Sequence, residues 1–376
     1  MKERAQRIFQ GLSPSPDLLV LSNGVEPRID PAFFYLFDAP SGLFEGSFLV
    51  ARPDGTIHVL SSPLEEQSAR VAAESDPGIV VDVPSSDIRY GNRQEWLAKY
   101  FGQFVTDGAR VALNFQDLTH ASFLDIERAL PTAKFLDASE AIRKARMVKD
   151  RQEIERIAKA GSIASRVAER IPGLLRAGMS ELDLAAEIDY AMARGGSSGR
   201  SFDTIVGFGP ASAEPHYKPG ERKLTPGDPI VCDFGAFHRR YASDITRSFQ
   251  FGRPRGEMHQ VFDTVHAAQQ AALQAVRAGV AGKEVHLAAQ RVIDASPFKG
   301  RFIHGVGHSL GLAVHDGYGM GPSTEEPLSD GMVITVEPGV YLPGQGGVRI
   351  EDDIVVTPDG YRFLTDARRD YIEVGA

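Results

Sequence analysis

The sequence lacks several features that define whole classes of protein. Its single cysteine, Cys232, excludes an internal disulfide bond. It has no apolar run of membrane-spanning length, and the first ten residues are charged and polar, so neither a transmembrane helix nor a secretory signal is expected. No block of Lys or Arg interrupts a chain of formal net charge −9, which argues against nucleic acid and anionic membranes as partners. These absences favour a cytoplasmic protein.

The remaining composition is that of a globular α/β protein with two domains. The chain has 376 residues, of which 42% are apolar and 24% charged. Strand and helix patterns alternate at the start. A hairpin is predicted from Phe48–Ala51 and 56–60, and a buried strand from Arg110–Leu113. We therefore expect a smaller N-terminal α/β domain over residues 1–137 and a second domain over residues 138–376.

A repeat divides the second domain. A long amphipathic helix is predicted from residue 150 to about residue 171, and Arg-Ala-Gly-Met follows at 176–179. Arg-Ala-Gly-Val recurs at 277–280, and each copy leads into an Ala-rich helix, with Ser180 as the predicted N-cap of the first. Chance similarity between short Ala-rich helices is the alternative. The repeat favours a duplicated helix–helix–sheet unit about a pseudo-twofold axis, with a ligand site in the crevice between the halves.

Four apolar strands each contain or adjoin one acidic residue: Asp233, Asp244, Glu337 and Glu351. A buried carboxylate without a partner costs several kcal/mol, roughly, so it must be neutralised, paired or bound to a metal. One such residue is more often an ion-paired core residue, but four in succession favour a polynuclear cation site. The first two strands are close enough to form one hairpin, and the last two could form a second through the Gly-rich loop 343–347.

A segment rich in glycine and histidine, residues 304–316, supplies nitrogen ligands near these acids. One imidazole with four carboxylates suits Mn or Co first, and Zn or Fe second. The imidazole ligand argues against a calcium site, because calcium is bound by oxygen ligands.

From about residue 149 to its end, the chain resembles the pita-bread metallopeptidases, the family of methionine aminopeptidase, aminopeptidase P and prolidase. Five motifs carry the resemblance in the family's order: Asp233-Phe-Gly-Ala, Ser243-Asp-Ile-Thr-Arg247, Gly307-His308 with His315-Asp316, Val336-Glu-Pro-Gly-Val-Tyr341, and Val348-Arg-Ile-Glu-Asp352. The resemblance implies a C-terminal pita-bread fold. The N-terminal region resembles the creatinase-like domain of the proline peptidases more loosely.

The resemblance also implies roles for individual residues. Two divalent metal ions would be held by Asp233, Asp244, His308, Glu337 and Glu351. Asp244 and Glu351 would bridge the ions, and Glu337 would also carry a proton. His216 and His315 match substrate-side histidines, of which His315 would polarise the scissile carbonyl.

The implied reaction is hydrolysis of the bond between an N-terminal residue and proline, with short peptides carrying proline at the second position as substrates. An Xaa-Pro dipeptidase is placed ahead of an aminopeptidase P acting on longer peptides. Segment 321–330 lacks the Arg that many relatives use to bind a dipeptide's carboxylate, and this absence weakens the preference for a dipeptidase over an aminopeptidase P. Methionine aminopeptidase, a creatinase-like amidinohydrolase and a non-catalytic module on the same fold are further alternatives. The family also implies a homodimer.

Three more residues near the motifs have structural interpretations. Arg247 and Arg349 flank the acidic strands and are expected to pair with carboxylates rather than contact substrate. His304 is expected either to pack against the site or to support it by a hydrogen bond.

Overall fold

The structure is a computed structural model that describes residues 1–84, 93–254 and 256–375. Its contacts divide the chain into two compact units, Met1–Arg146 and Met147–Ala376. The domain boundary at 137/138 stays a prediction. Over the described residues, no helix has both the length and the apolar character that crossing a membrane requires.

The first unit is built on a six-stranded mixed sheet in the order β4-β3-β2-β1-β5-β6 once its strands are numbered along the chain. They are β1 (Leu18–Ser22), β2 (Phe48–Ala51), β3 (Ile57–Leu60), β4 (Ile79–Asp82), β5 (Arg110–Leu113) and β6 (Lys134–Asp137). The helices are α1 (Lys2–Gln10), α2 (Pro31–Leu36), α3 (Glu66–Glu74), α4 (Arg93–Phe101), α5 (His120–Ala129) and α6 (Ser139–Met147). Strands β2 and β3 pair antiparallel, which confirms the predicted hairpin.

Apolar strands form the core of this unit. Strand β1 is buried along its whole length, and its Leu18 and Val20 belong to one cluster with Leu97 and Phe101 of α4 and Ile126 of α5. Burying side chains of this size stabilises the fold by about 1.5–3 kcal/mol each.

The second unit contains four long helices, namely α7 (Arg151–Ala168), α8 (Glu181–Arg194), α9 (Met258–Ala275) and α10 (Gly282–Asp294). Its strands are β7 (Ile205–Phe208), β8 (Pro229–Phe234), β9 (Phe237–His238), β10 (Tyr241–Ala242), β11 (Ile245–Phe251), β12 (Gly307–His308), β13 (Gly319–Met320), β14 (Val333–Val336), β15 (Gly339–Leu342), β16 (Gly346–Arg349), β17 (Asp352–Thr357), β18 (Gly360–Phe363) and β19 (Ile372–Val374). Short 3-10 turns cover Pro63–Glu65 in the first unit, and Ile171–Gly173 and Gly209–Ala213 in the second.

Local sequence explains where the helices of the second unit begin. Asp150 caps α7, and Ser180 caps α8 as predicted; each cap exchanges hydrogen bonds with the third residue of its helix. Before α8 and α10 the chain turns through Gly178 and Gly279, whose φ angles of +79° and +87° strain any residue with a Cβ.

The second unit consists of two similar halves. Each half begins with a helix of 18 residues, α7 or α9, and continues through a left-handed glycine into a shorter helix. Helices α7 and α8 share one hydrophobic core with β8 and β11, while α9 and α10 share another with β14 and β17. This arrangement matches the duplicated unit that the sequence predicts.

Both predicted strand pairs form, but the second is connected differently from expectation. Strands β8 and β11 pair antiparallel, with the small β9–β10 hairpin between them. Strands β14 and β17 also pair antiparallel, with Val336 opposite Asp352. The Gly-rich loop closes a separate hairpin of β15 and β16 instead of joining the two acidic strands, so the predicted connection was wrong. One short loop cannot connect two pairs of strands. The β15–β16 hairpin therefore lies between β14 and β17 in the sequence.

Candidate active site

A cavity of about 980 Å³ lies within the second unit. All seven site residues predicted from the sequence line it: Asp233, Asp244, His308, Glu337, Glu351, His216 and His315. Sequence positions more than 130 residues apart therefore meet at one site.

The two strand pairs deliver the four carboxylates. Asp233 lies near the end of β8, and Asp244 immediately precedes β11, its antiparallel partner. Glu337 immediately follows β14 and Glu351 immediately precedes β17, at the same end of that pair. Each half of the unit thus places two acids at the end of one strand pair.

His308 lies among these acids. Its Nε2 atom is 3.5 Å from Glu337 Oε1 and 3.7 Å from Asp244 Oδ2. One ligand atom from each of Asp244, His308 and Glu351 lies within 4.8 Å of the others, a spacing that one cation can span. Oxygen and imidazole donors at these distances form a set that a first-row divalent metal accepts.

The acids are costly to hold as charged groups without a cation. Burial, followed by repulsion from neighbouring carboxylates, raises the pKa of both Asp244 and Glu351 well above the usual range. Burial also raises the pKa of Glu337 to about 8, although Arg349 opposes that shift. A bound divalent ion would reverse these shifts by stabilising the charged forms.

Two buried carboxylate oxygens of the candidate metal ligands have no hydrogen-bond partner in the described part of the chain. They are Oδ1 of Asp233 and Oδ1 of Asp244. Buried polar atoms are normally paired, and an unpaired one at a functional site commonly indicates an ion or water. The donor set and its unpaired oxygens therefore fit a metal site.

Burial favours the neutral form of His308 and His315. Burial, followed by the effect of the nearby His315 ring, lowers the pKa of His308 to about 4. Nδ1 of His308 lies 3.3 Å from the carbonyl oxygen of Ser309, so a proton on Nδ1 leaves the Nε2 lone pair facing the carboxylates. The His315 ring centroid is 4.2 Å from that of His308, and burial followed by the charge of His216 lowers the pKa of His315.

Arg349 forms hydrogen bonds with residues of the site. Its guanidinium donates to Asp233 Oδ2 at 2.5 Å and to the Tyr341 hydroxyl at 3.0 Å. The Tyr341 hydroxyl is 2.9 Å from Nε2 of His304, whose Nδ1 is 2.7 Å from the carbonyl oxygen of Gly305. These contacts confirm the expected carboxylate pairing of Arg349 and make His304 a hydrogen-bonding residue. Burial lowers the pKa of His304 to about 4, which keeps it neutral within this chain of bonds.

Arg247 also pairs with a carboxylate, as expected. It is almost fully buried and donates to Asp352 Oδ1 at 2.7 Å and to the backbone oxygen of Glu351 at 2.6 Å. These bonds fix the backbone from which the Glu351 side chain extends.

Two threonines of the site were missed by the sequence analysis. Thr246 donates to Glu351 Oε2 at 2.6 Å, and Thr335 accepts a hydrogen bond from the backbone N–H of His308 at 3.1 Å. The sequence could have indicated both threonines. Each lies two residues from a predicted ligand, Asp244 or Glu337, and side chains two residues apart in a strand point to the same face.

The family profiles match in two consecutive parts. The profile of the Creatinase/Prolidase N-terminal domain matches residues 18–148, and that of metallopeptidase family M24 matches residues 155–358. The chain belongs to metallopeptidase family M24. It is therefore a peptidase, and the pita-bread fold expected for its C-terminal part is confirmed.

Individual relatives agree with the family assignment. The uncharacterized peptidase YqhT of Bacillus subtilis is 33% identical over 263 residues, which cover 70% of this chain and 74% of that protein. The structure of an X-Pro aminopeptidase from Thermotoga maritima is 31% identical, with a TM-score of 0.87 and coverage of 99% of this chain and 100% of that one. A Xaa-Pro dipeptidase from Bacillus anthracis is 28% identical, with a TM-score of 0.88 and 99% coverage of both chains.

Proposed function

We propose that this family member is an Xaa-Pro dipeptidase that uses two divalent metal ions. The observation that carries the proposal is the convergence of five candidate ligands and two candidate substrate-side histidines in one cavity. The structural similarity to a Xaa-Pro dipeptidase over nearly the whole length of both chains also supports it.

Asp233, Asp244, His308, Glu337 and Glu351 would hold the metal ions. Mn or Co suits this oxygen-rich set first, and Zn or Fe second. When bound, the ions would supply the positive charge that lowers the pKa of the attacking water.

The remaining steps fall to side chains of this protein. Glu337 accepts a proton from the attacking water and passes it to the departing proline nitrogen, as a carboxylate acting first as general base and then as general acid. His315 donates a hydrogen bond to the scissile carbonyl oxygen as negative charge develops there. His216 lines the same cavity on the substrate side.

Aminopeptidase P activity on longer peptides is the second candidate. Two observations favour it: segment 321–330 has no Arg or Lys for a substrate carboxylate, and the X-Pro aminopeptidase of Thermotoga maritima is 31% identical. The two candidates share the chemistry and differ in the length of the peptide.

A substrate panel tests the proposed function. We expect Ala-Pro to be cut with a kcat/KM roughly 10–200 times that of Ala-Ala, because a pocket shaped for the pyrrolidine ring loses about 1–3 kcal/mol when part of the ring is missing. Ala-Pro-Ala should be cut less well than Ala-Pro by a dipeptidase and equally well or better by an aminopeptidase P. The measurement is the initial rate with Mn added. Cleavage of Met-Ala peptides without cleavage of either proline peptide would reject the proline specificity.

The family resemblance further supports a homodimer, and the composition supports a cytoplasmic location. We propose both as part of this function. Sedimentation of the purified protein would test the first.

A further inference from the structure

Two side chains with a permanent positive charge line the described part of the cavity, Lys218 and Arg349. Arg349 is buried and already binds Asp233, Tyr341 and Thr246. Its guanidinium is therefore committed to the protein. Lys218 is the remaining cation.

The loop that carries Lys218 is anchored on both sides of that residue by one buried acid, Glu181 of α8. The Tyr217 hydroxyl donates to Glu181 Oε2 at 2.9 Å, and the Gly220 N–H donates to the same oxygen at 3.0 Å. The other oxygen of Glu181 accepts from the Phe208 N–H at 2.9 Å. These bonds fix the backbone next to Lys218 at the cavity.

The Lys218 side chain has no such anchor. It is exposed, and within the described residues it forms neither a hydrogen bond nor an ion pair, including with Glu214 of the same loop. Asp203 is the other exposed acid that lines the described part of the cavity, and it forms an ion pair with Arg200 at 2.9 Å. An ammonium group without a partner, on a fixed loop that lines a cavity, is free to bind an anionic part of the substrate.

We propose that Lys218 binds the C-terminal carboxylate of a dipeptide substrate and so sets the preference for dipeptides. The inference rests on the proposed function. In a dipeptide, the carboxylate follows the scissile bond by one residue, so it remains inside the cavity when the bond lies at the candidate metal site. Gly321 of the Arg-free segment lines the same cavity without offering a charge. Lys218 supplies that positive charge from a different segment of the chain, the loop that precedes β8.

The test compares Ala-Pro with Ala-Pro-amide, which differ in the charge at the C-terminus. Wild-type enzyme should favour Ala-Pro by roughly tenfold or more, the scale of one charge-assisted hydrogen bond. In Lys218→Met that preference should fall to about twofold or less, through a higher KM for Ala-Pro with little change for the amide. Lys218→Arg should retain most of the preference because it keeps the charge. Lys223→Met, which changes a nearby exposed lysine outside the cavity lining, should behave as wild type.

Each outcome has a distinct meaning. An unchanged ratio in Lys218→Met, or the absence of any preference in the wild type, overturns the role of Lys218 while leaving Xaa-Pro cleavage intact. A wild type that cuts neither proline substrate contradicts the proposed function itself. Inhibition by proline relative to prolinamide gives a second readout, and Lys218→Met should reduce that ratio as well.

Discussion

Replacing Glu351 with Gln is expected to remove bound metal and to lower kcat/KM for Ala-Pro by roughly 10³ or more. A neutral amide cannot balance a divalent ion as a carboxylate does, and charge stabilisation by a catalytic metal is worth several kcal/mol. Glu351 is also buried, and it accepts a hydrogen bond from Thr246. Elemental analysis of the purified variant and a rate measurement give the two values.

Glu155→Gln is a suitable control for that variant. Glu155 is exposed on α7 and pairs with Arg151 on the surface, so its loss should leave metal content and rate unchanged. A Glu351→Gln enzyme that keeps its metal and its rate would remove Glu351 from the ligand set.

Replacing His315 with Ala should lower kcat for Ala-Pro by about 10²–10³ while metal content stays near the wild-type value. Loss of one hydrogen-bond donor to the developing oxyanion has this scale. His315 lies beside the ligand candidate His308 rather than among the carboxylates that approach it, which separates its role from metal binding. Steady-state kinetics and elemental analysis on the same preparation are needed.

The exposed His259 provides the matched control, since His259→Ala removes an imidazole from α9 at a position outside the cavity. If His315→Ala loses a metal ion together with its activity, the roles assigned to His308 and His315 should be exchanged.

The sequence predicts much of the candidate site because acids in apolar strands have few physical explanations. Asp233, Asp244, Glu337 and Glu351 each adjoin strand residues that are buried, and a cation accounts for all four together. The duplicated halves could also be predicted, since the two turn glycines repeat within nearly identical tetrapeptides.

Other parts of the molecule depend on long-range contacts that local patterns do not encode. The Gly-rich loop 343–347 was correctly read as a turn, but its strands are β15 and β16, whose pairing no local signal distinguishes from that of β14 and β17. Lys218 gave no signal either. Its place at the cavity depends on the bonds from its loop to Glu181, 37 residues earlier in the chain.

The central claim is that this protein is a metal-dependent Xaa-Pro peptidase. The most direct test is the rate of Ala-Pro hydrolysis by protein from which metal has been exhaustively removed by chelation and verified as absent, measured before and after addition of Mn or Co. The account predicts no turnover in the metal-free protein and its recovery with either ion. Full Ala-Pro hydrolysis in the verified metal-free sample would contradict it.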